Sequence, residues 1–392
     1  MKVLFLTDSL SDLDGVGRYT ISLIQAMERL RPGLEVSVLL ARKHRPTSAD
    51  VPAHWHVEVG LPPDYFFYMS WPRFAASLFT GARNVKRAAR EADVVHAIKD
   101  YPHNLAGWLG ARLAGRPCVA TVHGTYTIQP LRSRRHRWLA RRLYPRFARM
   151  ISVSRYTARR LAEEMPAGLL SPERVVAVPN RVDAERFARV PAVGERPWQS
   201  VPFTLGIGEV KERKGHHLAL EAFARIARER TELHHFIVGK TSEDDPYRRR
   251  LDALAREAGI ADRVHFLGNI TEDEKLDLLQ RALVFVHTPV TASDGGFEGF
   301  GLVYLEASAA GTPCIGTLDC GAEDAIVDGE TGFLCAQEPA AVEGALRRLL
   351  DTTTGDALRA RLGAAGRELA RRSSWDENAE RVLEIYDEVT RP

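Results

Sequence analysis

The 392-residue chain predicts an α/β protein of two doubly wound domains, each built on a parallel sheet. Two observations carry this. Short apolar runs alternate with amphipathic helical patterns along the whole length, and a proline-rich break divides that alternation into two series. Strand–helix alternation produces parallel sheets with right-handed crossovers. In the first half the strand candidates are Val3–Thr7, Val36–Leu40, Val94–Ala97, Val119–His123, Met150–Val153 and Val175–Val178. In the second half they are Thr204–Gly208, His235–Val238, Val264–Leu267, Val284–His287 and Cys314–Gly316. Tyr19–Leu30, His217–Arg228, Pro246–Ala258 and Asp273–Arg281 read as helices between them. The break falls near 184–202, where Pro191, Gly194, Pro197 and Pro202 interrupt the periodicity. A first domain over 1–187 and a second over 200–374 follow. A last helix, Trp375–Val389, begins behind an N-cap at Ser374.

Hydrophobic residues make up 45% and charged residues 27%, enough apolar material for two cores. The run Val3–Leu6 is too short for a signal peptide and reads as a strand. No window approaches the roughly 18 apolar residues of a membrane span. Cys118, Cys314, Cys320 and Cys335 are scattered without a CxxC pair, which argues for reduced thiols in a cytoplasmic protein.

The net charge of +3 conceals an asymmetry: residues 1–180 hold 27 Lys/Arg and 14 Asp/Glu, leaving 27 and 37 for the rest. Residues 101–162 hold 13 arginines and no acid. A basic lobe of this kind predicts an anionic partner: a membrane surface, a phosphorylated acceptor or nucleic acid. Within it, 132–149 sets Leu139, Leu143 and Phe147 on one face among arginines, with Trp138 and Tyr144 at an interface. The segment suits an anionic bilayer, or equally a surface helix whose stripe enters the core, and Pro145 interrupts it in either case. No nucleic-acid motif accompanies it, so no nucleic-acid partner is expected.

Four constellations carry chemistry. Asp14-Gly15-Val16-Gly17-Arg18 follows the first strand and opens the first helix. Gly15 and Gly17 there let amides approach an anion, although the spacing is not GxGxxG and a tight strand–helix turn explains them as well. His123, in Val122-His123-Gly124-Thr125, stands at the carboxyl end of a strand, where open α/β sheets border their ligand crevice. Lys211, Arg213 and Lys214 crowd the turn after the first strand of the second domain and can neutralise a diphosphate; a solvated charged turn is the alternative. The fourth runs from Asp294 through Gly295, Gly296, Phe297, Glu298, Gly299, Phe300, Gly301 and Leu302 to Glu306. There a glycine-rich loop enters an apolar helix, with the Phe300 and Gly301 amides facing an anion at the helix N-terminus. Glu298 sits in the loop and Glu306 about one and a half turns into the helix.

With these pieces in order, the sequence resembles the family 4 retaining glycosyltransferases of the GT-B fold. Matching segments are GVGRY at 15–19, VHG at 122–124, SVSRYTARRL at 152–161, VPNRVD at 178–183, ERKG at 212–215, VHFLGNI at 264–270, EGFGLVYLEA at 298–307, AAGTPCIG at 309–316 and DAIVDGETGFL at 324–334. The resemblance implies two facing Rossmann-like domains with a C-terminal crossover helix. It places a nucleotide-sugar in the second domain and an acceptor (glycan, glycolipid or small molecule) in the first. It assigns His123 and Glu298 to the transferred sugar, Glu306 to the ribose, Lys214 to the diphosphate, and Gly268 and Asn269 to the edge of the base. It implies transfer of a hexose from a UDP- or GDP-sugar with retention, without metal or cofactor, in the cytoplasm or on the inner face of the plasma membrane. Two positions depart from the pattern. Glu209 stands where an arginine is usual, so its cationic role passes to Lys211 or Arg213, with Glu209 turned away or paired to a base. Asp324 replaces a glutamate. Asp244-Asp245 reads as a helix start rather than a metal motif. An epimerase or phosphorylase on the same fold, and an idle sugar-nucleotide-binding subunit, remain alternatives.

Overall fold

A computed structural model describes residues 1–11, 14–41 and 51–391. Two parallel sheets organise it. The first contains β1 (Lys2–Thr7), β2 (Glu35–Ala41), β3 (His56–Leu61), β4 (Val94–Ala97), β5 (Cys118–Val122), β6 (Arg149–Ser152) and β7 (Val175–Ala177), in the order β3-β2-β1-β4-β5-β6-β7. The second contains β8 (Phe203–Ile207), β9 (His234–Val238), β10 (Val264–Gly268), β11 (Val284–Val286), β12 (Cys314–Thr317) and β13 (Gly332–Cys335), in the order β10-β9-β8-β11-β12-β13. Every ladder is parallel, from Lys2↔Glu35 in the first sheet to Thr317↔Cys335 in the second. Helices cover both faces of such sheets, so β5 and β8 are buried at every residue, which is why they read as mostly apolar runs, interrupted only by Thr121 in β5 and by Thr204 and Gly206 in β8.

Two strands carry too little local signal to be found from the sequence. β3 is a half-buried edge strand whose alternation, His56-Val57-Glu58-Val59, is weak and flanked by prolines. β13 has four residues and opens on a glycine; it forms only because β12 offers it a ladder.

The chain divides into one unit of residues 1–180 with 375–392, and another of 181–374. The expected bounds, 1–187 and 200–374 with a break near 184–202, shift: the division falls after Asn180. Residues 184–200 lie along helix Glu272–Arg281 of the second unit. Arg186 meets Glu272 at 3.4 Å, Arg189 meets Asp273 at 2.5 Å and Arg196 meets Glu274 at 2.8 Å. Trp198, buried, donates its indole N–H to Asp277 at 2.8 Å. Prolines broke the helical period without freeing the segment, because its arginines and its tryptophan found partners on a helix of acidic outer face.

The last helix, Trp375–Thr390, belongs to the first unit. Arg29 meets Asp376 at 2.5 Å, Arg31 meets Asp387 at 2.6 Å and Arg149 meets Glu388 at 3.4 Å. An acidic helix from the acidic half of the sequence thus pairs with arginines of the basic half. Its anchor is internal: the Tyr386 hydroxyl lies 2.5 Å from Nδ1 of buried His96, whose Nε2 lies 2.7 Å from the Thr121 hydroxyl. Tyr386→Phe leaves one imidazole nitrogen buried without a partner. The expected loss in unfolding free energy is about 1–3 kcal/mol, measurable by denaturant melts. An unchanged midpoint would mean that the chain of hydrogen bonds does not anchor the helix.

Candidate functional site

In doubly wound sheets a crevice opens at the carboxyl ends of the two strands where the order reverses. The first sheet reverses between β1 and β4, the second between β8 and β11. The polar residues that follow these four strands are the candidates.

Asp8 follows β1, and Lys99 and Asp100 follow β4. Lys99 bonds to Asp8, both largely buried. The Asp100 carboxylate accepts from the Thr127 hydroxyl and, at 3.4 Å, from the His123 amide; burial pushes its pKa up to about 6 against the pull of Thr127 and Lys99. His123 follows β5, and its Nε2 donates to the Ile98 carbonyl at 3.0 Å. That bond selects the tautomer and leaves Nδ1 an acceptor. Burial, helped by Lys99, lowers the imidazole to about 4, so it is neutral at pH 7. Tyr19 meets its ring edge-on, centroids 5.1 Å apart.

Gly15 and Gly17 open helix Gly15–Leu30, but the anion there is the chain's own. The Asp14 carboxylate accepts from the Gly17 amide at 2.7 Å and caps the helix. A Cβ on Gly17 would fall 2.3 Å from the Ser11 carbonyl oxygen. Gly17 is therefore a packing requirement, and its amide is not open to a ligand.

In the second sheet, β8 leads through Gly208 into a 3-10 turn, Glu212–Lys214. The loop after β11 is stitched to that turn: the Thr288 hydroxyl donates to the Gly215 carbonyl at 2.8 Å and the Val290 amide to the Arg213 carbonyl at 3.0 Å. This seam brings Lys214 onto Glu298. The Lys214 ammonium bonds to Glu298 Oε2, the Arg213 guanidinium lies 3.4 Å from the same oxygen, and His287 Nε2 lies 3.7 Å from it. Burial works to raise the Glu298 carboxyl, yet Lys214 and Arg213 prevail and hold it well below the usual carboxylate range. Glu298 is thus an ionised, buried carboxylate facing two cations.

Beside it, helix Leu302–Ala310 starts behind Gly301 at φ 82°, a left-handed conformation. A Cβ there would come within 2.7 Å of the Tyr304 ring. The Tyr304 amide bonds back to the Gly301 carbonyl at 3.1 Å, while the Leu302 and Val303 amides occupy the turn that has no intrahelical acceptor. Phe300 is buried and fixes the loop. Glu306, one turn on and buried, meets Lys275 at 3.1 Å. Glu298 and Glu306 therefore meet different cations. Gly268 ends β10, and its carbonyl accepts from the Gly239 amide at 2.9 Å; Asn269 beside it is exposed.

Two fixed cations, a helix N-terminus and two buried carboxylates suit a ligand that carries both phosphates and hydroxyls. Comparison with known proteins agrees. The Glycosyltransferase Family 4 model matches residues 13–186, and the model for Glycosyl transferases group 1 matches 197–369. The chain belongs to the family 4 glycosyltransferases. It is 27% identical over 373 residues to the phosphatidyl-myo-inositol mannosyltransferase of Mycobacterium tuberculosis, covering 91% of this chain and 92% of that one. It is 29% identical over 324 residues to a GDP-mannose-dependent alpha-(1-6)-phosphatidylinositol monomannoside mannosyltransferase of Mycolicibacterium smegmatis, covering 78% and 80%. Among solved structures, the Anabaena protein Alr3699/HepE in complex with UDP and glucose superposes with a TM-score of 0.76 at 21% identity, covering 99% of this chain and 100% of that one. That likeness shows the GT-B fold.

Within this glycosyltransferase the structure separates Lys211 from the other two cations. Lys211 meets Glu209 at 2.9 Å, half exposed, while Arg213 joins Lys214. Glu209 is paired to a base, and the second charge near Glu298 is Arg213. Asp245 caps helix Pro246–Glu257 through the Tyr247 amide at 2.8 Å, as a helix start should. Among the described residues no group of three or more His, Cys, Asp or Glu could hold a metal ion.

The arginine-rich segment is corrected in part. Tyr144 is buried, its hydroxyl donating to the Thr127 carbonyl at 2.7 Å, and Leu143 and Phe147 are buried with it. The helix stops at Leu143 and Tyr144–Arg146 forms a 3-10 turn at Pro145. Of the aromatic residues in the segment, only Trp138 stays exposed, beneath Arg142. Three further residues of these clusters, Lys99, Lys275 and His287, do not stand out in the sequence. Lys99 lies 91 positions from Asp8, Lys275 31 from Glu306 and His287 11 from Glu298, and the only local signal is a polar residue following an apolar run, for Lys99 and His287.

Proposed function

We propose that this glycosyltransferase moves a hexose from a UDP- or GDP-sugar to a lipid-linked or other envelope acceptor, with retention and without a metal. The observation that carries the reading is the Lys214–Arg213–Glu298 cluster beside the N-terminus of helix Leu302–Ala310. In this scheme the bond from the anomeric carbon to the β-phosphate oxygen breaks as the acceptor oxygen bonds to the same face. The acceptor's proton passes to the departing diphosphate. Lys214, Arg213 and the helix amides stabilise the charge that develops there. Glu298 holds a sugar hydroxyl, Glu306 the ribose, and His123 accepts from a hydroxyl through Nδ1. The mannosyltransferase names of the relatives make GDP-mannose the first donor to try.

A thermal-shift panel of UDP-, GDP- and ADP-sugars tests donor binding, since a ligand that binds the native state raises its stability. Product NMR then reports the anomer, and activity in EDTA reports metal independence. Inversion, or strict dependence on added metal, would refute the scheme. Glu306→Ala is expected to raise the donor dissociation constant with little change in kcat; a large loss of kcat at saturating donor would move Glu306 into the chemistry.

The enzyme is further proposed to work at an anionic inner membrane face. No described helix is long and apolar enough to cross a membrane. With Leu143, Tyr144 and Phe147 buried, the better candidate for membrane contact is helix Trp71–Ala89. It contains no acidic residue and exposes Trp71 and, at 69%, Phe79, beside exposed Tyr65 and Tyr68. Arg135 lies over the Trp71 ring at 4.7 Å. Aromatic and basic groups together suit an anionic headgroup layer. Flotation with phosphatidylglycerol vesicles, lost in Trp71→Ser/Phe79→Ser and absent with neutral lipid, is the expected result; equal flotation of the double variant would sink the assignment.

A further inference from the structure

His287 follows β11 and its side chain is fully buried. Among the described residues neither of its ring nitrogens has a hydrogen-bond partner. Its backbone is fixed, the amide donating to the Ile315 carbonyl at 3.0 Å and the carbonyl accepting from the Tyr304 hydroxyl at 2.7 Å. The ring lies against Tyr304 and Phe285, centroids 5.2 and 6.2 Å away. A buried donor without an acceptor is uncommon and calls for an explanation. The acceptor within reach is Glu298 Oε2, 3.7 Å from Nε2 and too far for a hydrogen bond.

That oxygen is engaged elsewhere, by Lys214 and Arg213. These are the same two cations that the diphosphate of a donor would attract. When they turn to phosphate, Glu298 loses both partners, and a buried carboxylate left unpaired is strongly disfavoured. The His287 ring is hemmed in by its neighbours, whereas Glu298 stands in a loop. Closing the gap from 3.7 Å to about 2.9 Å makes an N–H···O bond.

We infer that His287 is a positioning residue that receives the Glu298 carboxylate when a nucleoside diphosphate draws Lys214 and Arg213 away. This rests on the reading of those two side chains as the diphosphate cations. In the free enzyme Glu298 occupies the cations in place of phosphate. In the loaded enzyme His287 holds the same carboxylate ionised and aimed while the cations serve the diphosphate. Glu298 is thereby never stranded, and the cations are released without a charge being abandoned in the protein interior.

The full chain with isotope-labelled histidine provides the test, with GDP and UDP as probes. On saturation with whichever nucleotide raises the melting temperature, the His287 Nε2–H proton is expected to move downfield, the peak being assigned by its loss in His287→Gln. By calorimetry, His287→Phe keeps a ring in place but offers no N–H, and is expected to weaken that nucleotide about 10-fold. His287→Gln, which restores an N–H donor, is expected to bind within about 3-fold of wild type. A purely structural role would make the two variants fall together. Equal losses in both, wild-type affinity in His287→Phe, or an unmoved His287 signal in a nucleotide-bound enzyme would overturn the hand-off alone. If neither GDP nor UDP raises the melting temperature, the donor reading itself fails and the hand-off falls with it.

Discussion

Lys214→Ala is expected to weaken nucleoside-diphosphate binding by about 10- to 150-fold, the worth of one lost charge-assisted hydrogen bond of about 1.5–3 kcal/mol. Lys214 is buried against Glu298, and it is held there by the seam between the Lys-Gly turn and the loop after β11. Arg213→Ala should cost less, because the guanidinium stands farther off, at 3.4 Å, and is more exposed. Lys211→Ala should be nearly silent, since its ammonium is taken by Glu209 in a largely solvated pair. This gradient, measured by titration calorimetry with GDP and UDP, tests the assignment more sharply than any single variant. Equal affinity in Lys214→Ala and wild type would refute it. Glu298→Ala frees both cations for phosphate, so nucleotide binding should hold or improve while turnover falls by a similar factor. Wild-type turnover in Glu298→Ala would remove that residue from the chemistry.

The second large effect expected is loss of stability in mild acid. Burial lowers His96 and His216 to about 3, and His123, His235 and His287 to about 4. An unfolded histidine titrates near 6.5, so below that pH the unfolded chain binds protons that these folded imidazoles refuse. Stability is therefore complete above about pH 6.5 and lost as pH falls towards about 4, at roughly 1.4 kcal/mol per pH unit for each histidine. Asp100, raised to about 6 by burial, opposes this over the same window, because it favours the folded state as it protonates. Five histidines outweigh one carboxylate. Denaturant midpoints between pH 7.5 and 5 should fall steeply, and His96→Gln should flatten the profile. A midpoint independent of pH down to 5 would contradict the burial of these rings in solution.

Much of the site is legible in the residues themselves. The mostly apolar runs of β1, β5, β8 and β11 mark buried parallel strands, and the polar residues after them mark the rims. Glycines at 295, 296, 299 and 301 before an apolar helix announce a tight loop leading into a helix N-terminus. These signals are local: they depend on backbone period, on steric freedom at a few positions, and on charge placed within a turn or two. Local information also misleads. Prolines at 191, 197 and 202 look like a linker, and a stripe of Leu143 and Phe147 among arginines looks like a membrane face. Each segment has non-local partners that its own residues do not reveal.

Fold class, family and the short list of residues able to handle a diphosphate and a sugar all follow from the order of amino acids. Which of those residues act together is a property of the folded chain. Gly17 packs against Ser11 while Asp14 takes its amide; Arg213 joins Lys214 while Lys211 is spent on Glu209; His287 waits beside Glu298. The difference is one of range. Helix and strand periods act over a few residues, but pairing of buried charges depends on which strand ends meet at the point where the sheet order reverses, and there a lysine and a carboxylate 84 positions apart become neighbours.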